Sequence, residues 1–135
     1  AARPNGSDAV QGREGMADTI KTPKTEQIRE LNDRFRKGDS SIPGQVLLTA
    51  GVQSLTDIDP QMRLRRVIEA VRSFNDFSDD NDPHGEHDFG AFELFGEKLF
   101  WKIDYYALDM LHGSEDPSDI TKTIRVLTIM LAGEY

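Results

Sequence analysis

Apolar residues fall along the chain in patterns that each predict an element. Ile28, Leu31 and Phe35 recur at i, i+3 and i+7 after Thr22-Pro23 and Thr25. That spacing predicts a helix starting at either threonine and ending at Gly38, where a left-handed terminal residue fits. The run Val46-Leu47-Leu48-Thr49 follows Pro43-Gly44 and predicts a short strand buried on both faces. Asp59-Pro60 reads as the cap and first turn of a second helix, with Leu64, Val67, Ile68, Val71 and Phe74 on its inner side. Residues 75–88 are polar and predict a loop. Residues 89–95 and 98–106 then predict a hairpin turning at Gly96-Glu97, of type II′. In that register Leu94 faces Leu99 and Phe92 faces Trp101, while Leu99, Trp101, Ile103 and Tyr105 share the core face. Phe100 and Tyr106 share the outer face. A second polar loop covers residues 109–118. Beyond it Ile120, Ile124, Leu127 and Leu131 have helical spacing and predict a last helix over 120–132; dense Val, Ile and Thr make a strand the alternative.

These elements give an α+β fold in the order α-β-α-β-β-α, a small three-stranded sheet including the hairpin with helices on one face. Residues 1–21 hold few large apolar groups, so they are expected to form a disordered tail. Met16 is a plausible start position, with the first fifteen residues an extension. Residues 22–135 are expected to form a single domain, large enough for one core.

Charge changes this picture. The formal net charge is −8, but residues 73–119 carry 13 acids against Lys98 and Lys102, a balance of −11, while the remainder sums to +3. The acidic part disfavours binding to phosphate backbones. There is no cysteine, so disulfides and thiolate metal sites are excluded. No apolar run approaches the roughly 20 residues that span a bilayer, and the start lacks a signal-peptide core; cytoplasm is the expected location, without membrane association.

The segment richest in chemistry is Asp79-Asp80-Asn81-Asp82-Pro83-His84-Gly85-Glu86-His87-Asp88. Imidazoles and carboxylates suit zinc or manganese, and His84, His87, Asp88 and the distant His112 are the candidate ligands. The spacing matches no standard metal motif, and Asp, Asn, Pro and Gly in such a loop also serve as turn chemistry. A calcium loop starting at Asp80 fails, because position twelve is Ala91 rather than a bidentate Glu. Glu86, His87 and Asp88 are the candidates for acid–base chemistry, with Asp104, Asp116 or His112 completing a site. No G-x-S-x-G elbow, Walker loop or G-x-G-x-x-G is present.

Four stretches together carry a resemblance: residues 81–90 (NDPHGEHDFG), 100–106 (FWKIDYY), 113–117 (GSEDP) and 125–132 (RVLTIMLA). In this order the chain resembles a small bacterial family of domain-of-unknown-function proteins, frequent in alphaproteobacteria and often encoded on plasmids and integrated elements. The resemblance spans residues 25–135. The family pattern often has Tyr where this chain has His84, which leaves Glu86, His87 and Asp88 as the better candidates. It implies a bacterial cytoplasmic protein and brings no assigned activity.

The expected function is a non-enzymatic interaction or regulatory module without a cofactor, of inhibitor or DNA-mimic type. It would bind a basic protein through Asp80, Asp82, Glu86, Phe100 and Tyr106. The alternative is a small metal-dependent hydrolase or nuclease built on Glu86, His87 and Asp88. A second alternative is nucleic-acid binding through the basic faces of the first two helices, lost on replacing Arg63, Arg65 or Arg66.

Overall fold

The computed structural model describes residues 15–135, with side chains from residue 24. The elements are α1 (Gly15–Arg36), β1 (Gly44–Leu48), α2 (Ala50–Leu55), α3 (Pro60–Arg72), β2 (Phe89–Leu94), β3 (Glu97–Tyr106), β4 (Ile124–Leu131) and a 3-10 turn (Ala132–Glu134). α1 starts at Gly15, earlier than the threonines predicted. The first fourteen residues of the expected tail lie outside the described residues.

The last element corrects the predicted fold. Residues 124–131 form a strand, not a helix, and the sheet has four strands in the order β1-β4-β3-β2. β4 is central, parallel to β1 and antiparallel to β3. The misleading spacing has a physical cause. Arg125, Val126 and Leu127 are consecutive and all buried, as are Ile129 and Met130. A strand buried on both faces shows no alternation, so its apolar positions include a helical subset by chance. The β-branched residues Thr123, Ile124, Val126, Thr128 and Ile129 tip such a run toward extended backbone.

β1 is a second correction. It lies at the sheet edge, with Val46 47% and Leu47 46% exposed, rather than buried on both faces. The hairpin turns one residue earlier than predicted. Phe95 (φ 54°) and Gly96 (φ 76°) both have positive φ, the two-residue geometry of a type I′ turn. Leu94 therefore pairs with Glu97, Phe92 with Leu99 and Gly90 with Trp101.

The core-face prediction for β3 holds. Leu99, Trp101 and Ile103 are buried with Leu127 and Ile129 of β4, Val67 and Val71 of α3, Val52 of α2, and Leu31 and Phe35 of α1. α3 starts at Pro60 as predicted, although Asp59 (φ 55°) makes no side-chain cap. Leu64 is exposed rather than part of the core. All the helices thus pack on one sheet face.

Trp101 fills space that Gly90 leaves open. A Cβ at Gly90 would sit 2.4 Å from Trp101 Nε1 and 2.8 Å from Phe74 Cε2. Trp101 is itself fixed edge-on to Phe74 and Phe77. Gly90→Ala is therefore expected to lower unfolding stability by about 3 kcal/mol through overpacking, read from urea denaturation.

Candidate functional site

The loop of residues 73–88 crosses from the end of α3 to the start of β2 and lies against α1. Its own polar groups shape it first. Ser78 N–H donates to Asn81 Oδ1 (2.9 Å), Asn81 Nδ2 donates to the Asp76 carbonyl (2.9 Å), and Asp82 N–H donates to the Ser78 carbonyl (2.8 Å). His87 N–H donates to Asp82 Oδ1 at 3.1 Å, closing the second turn around Gly85 (φ 70°). His87 itself has φ 57°, an uncommon conformation for a residue with a side chain.

Two polar clusters then fasten the loop to the core. In the first, His87 Nδ1 lies 2.9 Å from Asp33 Oδ1, its Nε2 lies 3.6 Å from Asp82 Oδ2, and its ring stacks on Phe77 (centroids 3.7 Å apart, planes 5° apart). Asp33 also accepts from Arg36 Nη2 at 3.0 Å. Arg36 is buried over Trp101 and Phe77, and its Nη1 donates to the carbonyls of Val71 (2.9 Å), Arg72 (3.2 Å) and Phe74 (3.0 Å). One guanidinium thus caps the C-terminus of α3 and anchors the residues under the loop.

In the second cluster, Asn32 is fully buried. Its Nδ2 donates to the Glu86 carbonyl (2.9 Å) and to Tyr105 Oη (2.8 Å), and its Oδ1 accepts from Arg125 Nε (2.6 Å). Tyr105 O–H donates to Glu86 Oε1 at 2.8 Å, and Arg125 Nη2 donates to the Pro117 carbonyl at 2.7 Å. Burial, helped by the nearby Glu86 and Asp88 carboxylates, pushes the Tyr105 phenol far above its ordinary value, so it is a fixed donor. Burial pulls Arg125 down, against the favourable fields of Tyr105 and Glu86.

The sequence-derived candidates are placed as follows. Glu86 and His87 are adjacent in sequence but engaged with different partners, Tyr105 and Asp33. Asp88 leads into β2, its carbonyl accepting from Ile103 N–H at 2.9 Å. Asp82 is 6% exposed and faces inward, whereas Asp79 and Asp80 are exposed. His84 is half-buried. His112 lies in the loop after β3, exposed, with Nδ1 2.9 Å from Asp109 Oδ2. Asp104 pairs with Lys102 at 2.6 Å on the outer sheet face, across the sheet from His87. Asp116 pairs with Lys24 at 3.4 Å. Among the described residues no three His, Asp or Glu side chains form a group able to hold a metal ion. Phe100 packs on Phe89 and Tyr135 on the outer sheet face, the face that Tyr106 shares by strand parity. Arg63 and Arg66 lie over the Phe95 ring, while Arg65 is exposed elsewhere on α3.

Comparison with known proteins identifies one family. Residues 48–134 match the model of a protein of unknown function, DUF3768. The chain belongs to this family. No curated protein and no solved structure matches it. The DUF3768 match covers the acidic loop, Tyr105 and Arg125, while Asn32, Asp33 and Arg36 on α1 precede it. No described helix is long and apolar enough to cross a membrane.

Asn32, Asp33, Arg36 and Phe77 were missed by the sequence reading. A signal existed for two of them. Residues 28, 31, 32, 35 and 36 follow the full i, i+3, i+4, i+7, i+8 pattern, which puts Asn32 and Arg36 on the inward face of α1.

The Asp33 cluster gives stability a pH dependence. Burial tends to raise the Asp33 carboxyl, but His87 and Arg36 outweigh it and hold it below its ordinary value. A depressed folded pKa contributes stability above the unfolded value of about 3.9, and that contribution is lost as pH falls through the folded value. Urea unfolding of Asp33→Asn is therefore expected to show lower stability at neutral pH and a flatter acid limb than the parent protein.

Proposed function

We propose that this protein is a non-enzymatic interaction module that presents a rigid acidic loop to a basic protein partner. The observation that carries this reading is a division of labour within residues 76–88. The side chains suited to chemistry are engaged internally: Glu86 by Tyr105, and His87 by Asp33, Asp82 and the Phe77 ring. A general base needs a ring nitrogen directed at its substrate, and both nitrogens of His87 face carboxylates. Asp76, Asp79 and Asp80 instead point into solvent from a loop whose backbone is fixed by its own hydrogen bonds. Ordering the carboxylates in advance lowers the entropy lost on binding, and a single-sign patch speeds encounter with a cationic surface.

The net charge of −8 supports a protein partner over a nucleic acid. The resemblance adds a setting: a bacterial cytoplasmic protein from mobile DNA, acting as a regulator or an inhibitor of a host defence by displaying carboxylates as a DNA backbone displays phosphates. Phe100 and Tyr106 would extend the contact onto the outer sheet face.

Fluorescence anisotropy with a Lys/Arg-rich peptide tests the reading. The parent protein is expected to bind with an affinity that falls with salt, and Asp79→Asn/Asp80→Asn to lose most of it, while Glu97→Gln on the distant hairpin does not. Equal affinity in all three proteins would overturn the reading. So would phosphoester hydrolysis that disappears in His87→Ala.

A further inference from the structure

We propose that β1 is the interface of a two-fold homodimer in which two copies join their sheets edge to edge. This inference is independent of the acidic loop, which adjoins the opposite edge of the sheet.

The first observation is the parity of the β1 backbone. Arg125 N–H donates to the Pro43 carbonyl and Thr49 N–H donates to the Ile129 carbonyl, both at 3.1 Å. With the parallel register Gly44↔Arg125 through Leu48↔Ile129, these bonds assign residues 43, 45, 47 and 49 to the ladder with β4. The N–H and C=O groups of Gly44, Val46 and Leu48 therefore point away from the sheet. Gln53 Nε2 donates to the Leu48 carbonyl at 2.9 Å, occupying one of its two lone pairs. The outward set is symmetric about Val46. An antiparallel second copy with its axis at Val46 pairs Val46 with itself and Gly44 with Leu48, using every outward group.

The second observation is the lack of edge protection. Isolated edges are normally blunted by charge, proline or a bulge within the strand. The strand Gly44-Gln45-Val46-Leu47-Leu48 has none of these, and Val46 and Leu47 expose apolar surface on both sides of it. β2, at the other edge, carries Glu93.

The third observation favours a second copy over an unrelated peptide. Beside β1, Val46, Phe35, Ile68, Arg72 and Leu127 line a small cleft. It adjoins the open outer face of α3, where Leu64 and Ile68 are flanked by Arg65, Glu69 and Arg72. Both signs of charge alternate along this row. A face carrying both signs can complement a second copy of itself, whereas a uniformly acidic or basic peptide would meet one repulsive group.

The test combines mass with a cross-link. Sedimentation equilibrium should give twice the chain mass of 15.2 kDa at high concentration and a monomer on dilution. Val46→Lys, which opposes two like charges on the axis, should shift the protein to monomer. Leu47→Lys, on the outer face away from the core, should do the same while keeping the thermal midpoint that the parent shows when dilute and monomeric. Because the chain has no cysteine, Val46→Cys introduces a single thiol. A directly opposed hydrogen-bonded pair has Cα atoms about 5.5 Å apart, within the roughly 4.4–6.8 Å that a disulfide spans. Mild oxidation should cross-link Val46→Cys and leave a Glu97→Cys control, still dimeric through β1, without a covalent cross-link. A monomer at every concentration would overturn the proposal, as would a dimer that survives both lysine variants and gives no cross-link through position 46.

Discussion

Replacing Arg36 with Met is expected to lower unfolding stability by about 3–5 kcal/mol, the range for stripping one partner from a buried charged network. The side chain is 3% exposed, so water cannot take over its bonds. The substitution keeps apolar volume beneath Trp101 but removes every donor. The carbonyls of Val71, Arg72 and Phe74 lose their shared partner at the end of α3, and Asp33 loses its cation. Arg36→Lys is expected to recover only part of the loss, because one ammonium lacks the fork that reaches three carbonyls and a carboxylate together. Urea denaturation at neutral pH measures both. Near-parent stability for Arg36→Met would mean that the loop and α3 are held by apolar packing alone.

The second large effect is expected at Asn32. Asn32→Leu should cost about 3 kcal/mol or more, because it strands the buried Arg125 guanidinium. Arg125 Nε loses its 2.6 Å acceptor, and Arg125 Nη1 already has no hydrogen-bond partner. The Glu86 carbonyl also loses its donor. Tyr105→Phe, which removes one hydroxyl, should cost only about 1 kcal/mol. A double-mutant cycle separates these effects. Asn32→Leu combined with Arg125→Met should be less destabilising than the sum of the two single changes, since no stranded charge remains. Strict additivity would show that Asn32 and Arg125 act separately.

How much of this was legible in the sequence follows from how each segment is buried. β3 was readable because it has one dry face and one wet face: Leu99, Trp101 and Ile103 alternate with Phe100, Lys102 and Asp104. β4 was not, because the centre of the sheet removes the alternation that marks a strand. β1 carried the opposite signal, an apolar run that belongs to an exposed edge. The hairpin register slipped because Phe95 adopts a positive φ that its side chain does not advertise. In the candidate site, the loop's content of Asp, Asn, His and Glu was plain, but its use was not. The partners that engage His87 and Glu86 lie 54 and 19 residues away in sequence, at Asp33 and Tyr105. Spacing within the loop holds no information about them. The polar residues Asn32 and Arg36 on the apolar face of α1 were the available hint, since a buried polar group implies a buried partner.

Chemical-shift mapping tests most directly the proposal that the loop serves as a docking surface. Backbone amide spectra would be recorded while a Lys/Arg-rich peptide is added to the parent protein at low and at raised salt. A docking loop gives shifts concentrated at residues 76–88, with Phe100 and Tyr106 on the outer sheet face following, all reversed by salt. Shifts spread evenly over all acidic residues, with Glu97 and Glu115 moving as much as Asp79 and Asp80, would contradict it.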